Sequence, residues 1–265
     1  MSLVFYSSFV PSYNEVNALC ICKEFLNYYN IHFSDSPLYI GIQHGSSNKW
    51  IDHVAQLSAN NKNIKYNIVN PELNNKSDVA GFQSALHKFY LDPVPYDGHV
   101  WFGHSKGATS HNYKLADSIV SNFWPRRIEI ENRINAEPSV GSYGIYITLL
   151  KKIYGENILN IWSQLIDNTE LDLNPGYNFF HPFTFFTLRK EVFNIFIKKV
   201  NVQKFFKDKL LGGDLYFFER DFVHISDIMG FKPIYDIVTA NTSWKKINQH
   251  EFKQNYNEWI QKYGK

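Results

Sequence analysis

The densest grouping of reactive side chains in this sequence is His104-Ser105-Lys106, set between Gly103 and Gly107 at the end of the apolar run Val100-Trp101-Phe102. An apolar run that stops in small residues reads as a buried strand leaving a sheet, and α/β proteins bind ligands at the carboxyl ends of such strands. Two chemistries fit. As G-x-S-x-G the pentapeptide matches a nucleophile elbow, in which Ser105 attacks an ester. As an extended His104-x-Lys106 pair it carries an imidazole and an ammonium on one side of the chain, because strand side chains alternate with a period of two. That pair suits a phosphate group. A solvated polar turn is the plain structural role open to the same residues.

The chain before this turn alternates strand and helix. Leu3 to Val10 is rich in β-branched and aromatic residues and stops at Pro11, a first strand with Ser7 and Ser8 near its end. Those hydroxyls suit backbone capping as well as ligand contact. Asn14 can cap a helix to about Asn30, with Val16, Leu19, Cys20 and Lys23 spaced three and four apart. Leu38 to Gln43 is a second strand, ended by His44-Gly45-Ser46-Ser47; Lys49 to Ala59 is helical, and Lys65 to Val69 is a short strand. From Ser77 a helix puts Val79, Phe82, Ala85, Leu86 and Phe89 on one face, with Ser77 or Asp78 as cap. The strand at His99 to Phe102 follows. This alternation predicts a mostly parallel sheet wound by helices.

Beyond the turn the pattern changes. Asp117 to Asn135 is polar and helical in stretches, broken at Pro125; Val140 to Ile147 is a strand, and Ile153 to Asp167 a helix. Asn178 to Leu188 is an aromatic strand interrupted at Pro182, with His181 beside it, and it ends in Arg189-Lys190-Glu191. Helices follow at about 190 to 200 and 202 to 210. In the next stretch Leu215, Phe218, Phe222, Ile225 and Met229 recur at helical steps, with Glu219 and Asp221 on opposite edges of the apolar stripe, each about 80° from its centre. From Trp244 the chain is basic, helical and peripheral.

A hydrolase would add to Ser105 an oxyanion loop at His44-Gly45 and a partner pair such as Asp214 and His250. The helix after an elbow is normally apolar, whereas here A-T-S-H-N-Y-K-L-A-D follows. A longer set of matches points elsewhere. H-S-K-G-A-T, then N-F-W-P-R-R-I-E, then V-G-S-Y-G-I resembles a group of bacterial and viral glycosyltransferases similar to the GT-A fold. The resemblance implies a GT-A-like, Rossmann-like α/β fold, a mostly parallel sheet flanked by helices with a helical carboxyl-terminal part. It also implies transfer of a sugar from a nucleotide-sugar donor to a hydroxyl acceptor, as in surface-polysaccharide or glycoprotein-glycan synthesis.

On that resemblance S-D-V-A-G-F-Q-S-A-L is similar to the helix laid against the nucleotide, which brings Asp78 and Gln83 to the donor beside Ser7, Ser8, His104, Ser105 and Lys106. The strand ending at Leu188-Arg189 resembles the acceptor side, with His181 and Arg189. F-F-E-R-D-F resembles the helix bearing a catalytic carboxylate, Glu219 or Asp221. One departure stands out. GT-A enzymes typically hold Mn²⁺ or Mg²⁺ with Asp-x-Asp, but here that place is His104-Ser105-Lys106, so the metal is left open and His104 is its one candidate ligand. Fixed cationic donors can replace a metal in stabilising a departing phosphate.

Composition bounds the alternatives. With 265 residues, 44% of them hydrophobic, the chain can bury a full core, and it is expected to form one domain. Within it, 1–109 would be the nucleotide-sugar half, 110–230 the acceptor and catalytic half, and 231–265 a tail. A net charge of +2 argues against nucleic acid. No apolar run approaches a membrane span, no signal peptide is recognisable, and the only two cysteines, Cys20 and Cys22, diverge around one helix, so a cytoplasmic protein is expected. The wealth of aromatic residues also suits a non-catalytic carbohydrate-binding protein.

Overall fold

The computed structural model describes residues 1–69, 78–106, 108, 119–150, 178–180, 185–199 and 231–238. These fall into two compact units, one built on Met1–Arg127 and one whose described part begins at Ile128. The division falls after Arg127.

The first unit is a four-stranded, wholly parallel sheet in the order β3-β2-β1-β4, with β1 Leu3–Ser8, β2 Leu38–Ile42, β3 Ile64–Ile68 and β4 Val100–His104. Helices α1 (Glu15–His32), α2 (Asn48–Asn60) and α3 (Asp78–Leu91) connect them. Such a strand order is that of one half of a doubly wound Rossmann-type sheet. The α/β, mostly parallel architecture flanked by helices is therefore established here.

Alternation along the strands sorts the core into two layers. Tyr6 stacks on Phe25 of α1 at 3.6 Å, and Trp101 packs on Phe33 and Trp124. On the opposite face Phe5 meets Phe89 of α3, and Phe102 meets Phe5 and Phe82. These contacts decide which way α1 faces. It buries Ala18, Ile21, Cys22, Phe25, Leu26 and Tyr29, leaving Val16 78% exposed, Cys20 exposed and Leu19 half-buried. The row expected from Val16, Leu19 and Cys20 is thus rotated away from the sheet. Both cysteines are free, and burial pushes the Cys22 thiol up to about 12.

Two glycines set the distance of α3 from the sheet. A Cβ on Gly41 would strike the Gly81 carbonyl, and one on Gly81 would strike the Ser7 hydroxyl. Helix backbone therefore lies directly on strand backbone at the carboxyl edge, with the start of α3 over the ends of β1 and β2.

In the second unit β5 (Val140–Leu150) pairs antiparallel with β6 (Asn178–Phe180) and β7 (Phe186–Leu188) and parallel with β8 (Lys232–Val238). The aromatic stretch expected as one interrupted strand is thus two short ones. Helices α4 (Arg127–Ala136) and α5 (Lys190–Lys199) complete the described part. Pro125 interrupts the helical region as expected: the α-helical backbone that ends at Phe123 gives way to a 3-10 turn, Trp124–Arg126, and α4 begins after it, with the proline early in the turn where a missing N–H is harmless. β8 begins where a peripheral tail was expected. The register shift between Val140 and Ser142 places Pro233 opposite Ser142, at an irregularity that suits a residue with no N–H to give. The expected helices at Ile153–Asp167, 202–210 and 215–229, and the tail from Trp244, lie outside the described residues. Among the described residues no helix is long and apolar enough to cross a membrane.

Candidate functional site

In the β3-β2-β1-β4 order the chain winds away from β1 in one direction to β2 and β3, then returns past it to β4. The switch point lies between β1 and β4, and there the connections diverge to leave room for a ligand at the strands' carboxyl ends. Ser7 on β1 is in register with His104 on β4. Ser7 and His104 thus face each other across the switch point.

Their roles separate once their partners are named. Ser7 and Ser8 have no exposed surface. Ser7 Oγ accepts from Gln43 Nε2 (3.4 Å) and lies against Gly81; Ser8 Oγ accepts from the Trp50 indole N–H (2.9 Å) and donates to the Gly41 carbonyl (3.3 Å). Both hydroxyls bond within the core, the plain structural role that the sequence also allowed them.

Ser105 is likewise bonded from within. Its Oγ accepts from the Phe9 N–H at 2.9 Å and donates weakly to the Phe9 carbonyl at 3.5 Å, and the residue is 7% exposed. A nucleophile would donate to a basic histidine. Here the hydroxyl serves the backbone, while Asp214 and His250 lie outside the described residues. His44-Gly45 forms a turn with Gly45 at φ +81°, conformationally suited to glycine alone.

The strand is longer than the sequence suggests. β4 runs through Gly103 to His104, and the chain turns only at Ser105, where the Lys106 N–H donates to the His104 carbonyl at 2.7 Å. An i to i+2 bond is a γ-type turn, so strand alternation does not carry from His104 to Lys106. The pair is set by this turn and not by an extended chain. His104 shares its strand face with Phe102, hence with α3; both His104 and Lys106 are half-buried. Asp78 is the first residue of α3, and Gln83, two residues past Gly81, is buried.

The β1–α1 connection, where Rossmann-type folds usually receive a phosphate, is already satisfied from within. The first two amides beyond β1 are capped by serines from the flanking loops, Phe9 by Ser105 and Val10 by Ser46 (3.3 Å). At the start of α1 the carboxylate of Glu15 pairs with Lys49 (2.7 Å) and accepts from Ser47, and these bonds, Lys49 first, hold it below the usual carboxylate range. An anion here would meet Glu15. Asn14, expected to cap α1, makes no side-chain cap and donates instead to the Ala108 carbonyl at 2.8 Å.

Ser46 and Gln43 were not singled out by the sequence. The small-residue turn His44-Gly45-Ser46-Ser47 was the available signal, but only the fold brings it to Val10. Among the described residues no three of His, Cys, Asp and Glu gather as metal ligands.

In the second unit Arg189 was expected to face an acceptor. Its guanidinium instead donates from Nε to the Val140 carbonyl (2.6 Å) and from Nη2 to the carbonyls of Glu137 (3.0 Å) and Ile134. It closes the carboxyl end of α4. His181, Glu219 and Asp221 lie outside the described residues. No protein-family model and no curated protein sequence matches this chain.

Proposed function

We propose that this protein is a glycosyltransferase that binds a nucleotide-sugar donor at the carboxyl edge of the parallel sheet, with His104 and Lys106 on the diphosphate. The observation that carries the reading is the position of that pair at the β1/β4 switch point, beside a β1–α1 loop whose own amides are capped. Its GT-A character rests on the sequence resemblance.

The chemistry follows from charge. The acceptor oxygen attacks the anomeric carbon, the bond from that carbon to the diphosphate oxygen breaks, and negative charge grows on the departing nucleoside diphosphate. Lys106 offers a compact positive charge and His104 a hydrogen-bond donor, both held before the reaction by the turn at Ser105. The acceptor proton passes to a carboxylate, for which Glu219 and Asp221 are the sequence candidates.

The test is thermal unfolding with UDP-, GDP- and CMP-linked sugars, for the native chain and Lys106→Ala. At about a hundred times Kd one of these should raise Tm by about 5 °C, and the variant should lose most of that rise. An unshifted native protein, or an equal rise in the variant, overturns the proposal.

A further inference from the structure

Resting on the donor-binding reading above, we infer that Ser105 is a positioning residue: its hydroxyl clasps the β4 turn to the β1–α1 loop and thereby sets His104 and Lys106 on either side of it.

Five bonds build the clasp. The Ser105 N–H donates to the Ser7 carbonyl (3.0 Å), extending the β1–β4 ladder one residue past the strand. The Ser105 hydroxyl then takes the Phe9 N–H (2.9 Å), the first amide beyond β1, and returns a weak bond to the Phe9 carbonyl. The Lys106 N–H closes on the His104 carbonyl (2.7 Å), which bends the chain at Ser105 itself. Three residues on, Asn14 Nδ2 holds the Ala108 carbonyl at 2.8 Å. The turn is thus tied at both ends to one loop.

That loop is itself fixed on its other side. The Val10 N–H donates to Ser46 Oγ and the Ser47 N–H to the Val10 carbonyl (2.8 Å). Consecutive amides of one loop are therefore capped by serines from two different loops. Without the Ser105 hydroxyl the Phe9 amide loses its buried partner, and the turn carrying the imidazole and the ammonium is freed to pivot about the ladder bond to Ser7. A hydroxyl is what the position requires; nucleophilicity is not.

The experiment compares Ser105→Ala, Ser105→Thr and Asn14→Ala with the native chain. Two quantities are read: affinity for the nucleotide sugar that stabilises the native protein, and hydrogen exchange at the Phe9 amide. Ser105→Ala is expected to bind about tenfold more weakly and to exchange Phe9 at least as much faster, while Ser105→Thr, which keeps the hydroxyl, returns both to within about threefold. Asn14→Ala, which cuts only the outer tie, should weaken binding with Phe9 exchange unchanged, and it decides the matter if Ser105→Ala does not fold. Native affinity in Ser105→Ala or Asn14→Ala, or a Thr variant as weak as the Ala variant with Phe9 protected, overturns the inference. A native chain that binds no nucleotide sugar refutes the functional reading instead, and the Phe9 exchange rates still report whether the clasp exists.

Discussion

Arg189 carries a full positive charge, yet its guanidinium is turned onto the carbonyls of Val140, Ile134 and Glu137, where α4 ends and β5 begins. Carbonyls at a helix's carboxyl end carry partial negative charge and lack intrahelical donors, so a planar fork of N–H groups satisfies several at once. Arg189→Ala should lower unfolding free energy by about 2 kcal/mol, since it strands the part-buried carbonyls of Val140 and Ile134 that bonded a charged donor. Arg189→Lys should recover less than half of this, because an ammonium cannot span the three carbonyls. Urea titration checks both. A stable Arg189→Ala protein with impaired acceptor use would return the residue to the role its place in the sequence suggested.

Among the elements, α3 shows what periodicity can and cannot reveal. The spacing of Phe82, Ala85, Leu86 and Phe89 gives the helix and its buried face, and all four are buried. Nothing in that spacing says that Gly81 lies on Gly41, because the contact joins two strands' worth of chain through a register that exists only in the sheet. In α1 the same reading misplaces the face, since Val16, Leu19 and Cys20 are as well spaced as the residues that do pack. The aromatic wall of Tyr6 and Trp124 chooses Phe25 and so fixes the rotation. The switch-point site was legible as residues and not as geometry: His104 and Lys106 stand out by type, but the capping of Phe9 and Val10 depends on three loops meeting. The glycine contact makes a prediction against intrinsic propensity. Alanine favours a helix over glycine by about 1 kcal/mol, but Gly81→Ala must push Cβ into the Ser7 hydroxyl, so the variant should be less stable by about 2 kcal/mol or more. Thermal or urea unfolding gives the sign directly, and a stabilised variant would mean that α3 sits farther from the sheet.

Over the whole molecule, β8 was missed because Pro233 argues against a strand and its partner β5 lies far back in the sequence; a parallel pairing of that separation has no local signature. Charge pairs, from the i,i+4 pair of Lys88 and Asp92 to the distant pairs of Arg127 with Asp35 and Lys232 with Glu137, tie down both units. Arg127 holds the Asp35 carboxyl below its ordinary range, Lys65 and then Lys88 do so for Asp92, Lys49 and Ser47 for Glu15, and Lys232 for Glu137. A carboxyl whose pKa is lower in the folded state than in the unfolded chain adds stability at pH above the unfolded value, about 4 for these groups, and loses it as pH falls through the folded value. Four such groups act in the same direction. The unfolding free energy attributable to them should therefore be flat from pH 7 to about 5 and decline steeply below about 4, as the protons that the unfolded chain takes up more readily favour unfolding. Most of these side chains are substantially exposed, so screening should shrink the decline in about 1 M salt. Replacing Asp35 by Asn removes the Arg127 pair and one titrating group; that variant should start less stable at pH 7 and lose less on acidification, the two curves converging near pH 3. Parallel curves across the same range would show that the Arg127 pair does not depress Asp35, and that the acid response comes from elsewhere in the chain.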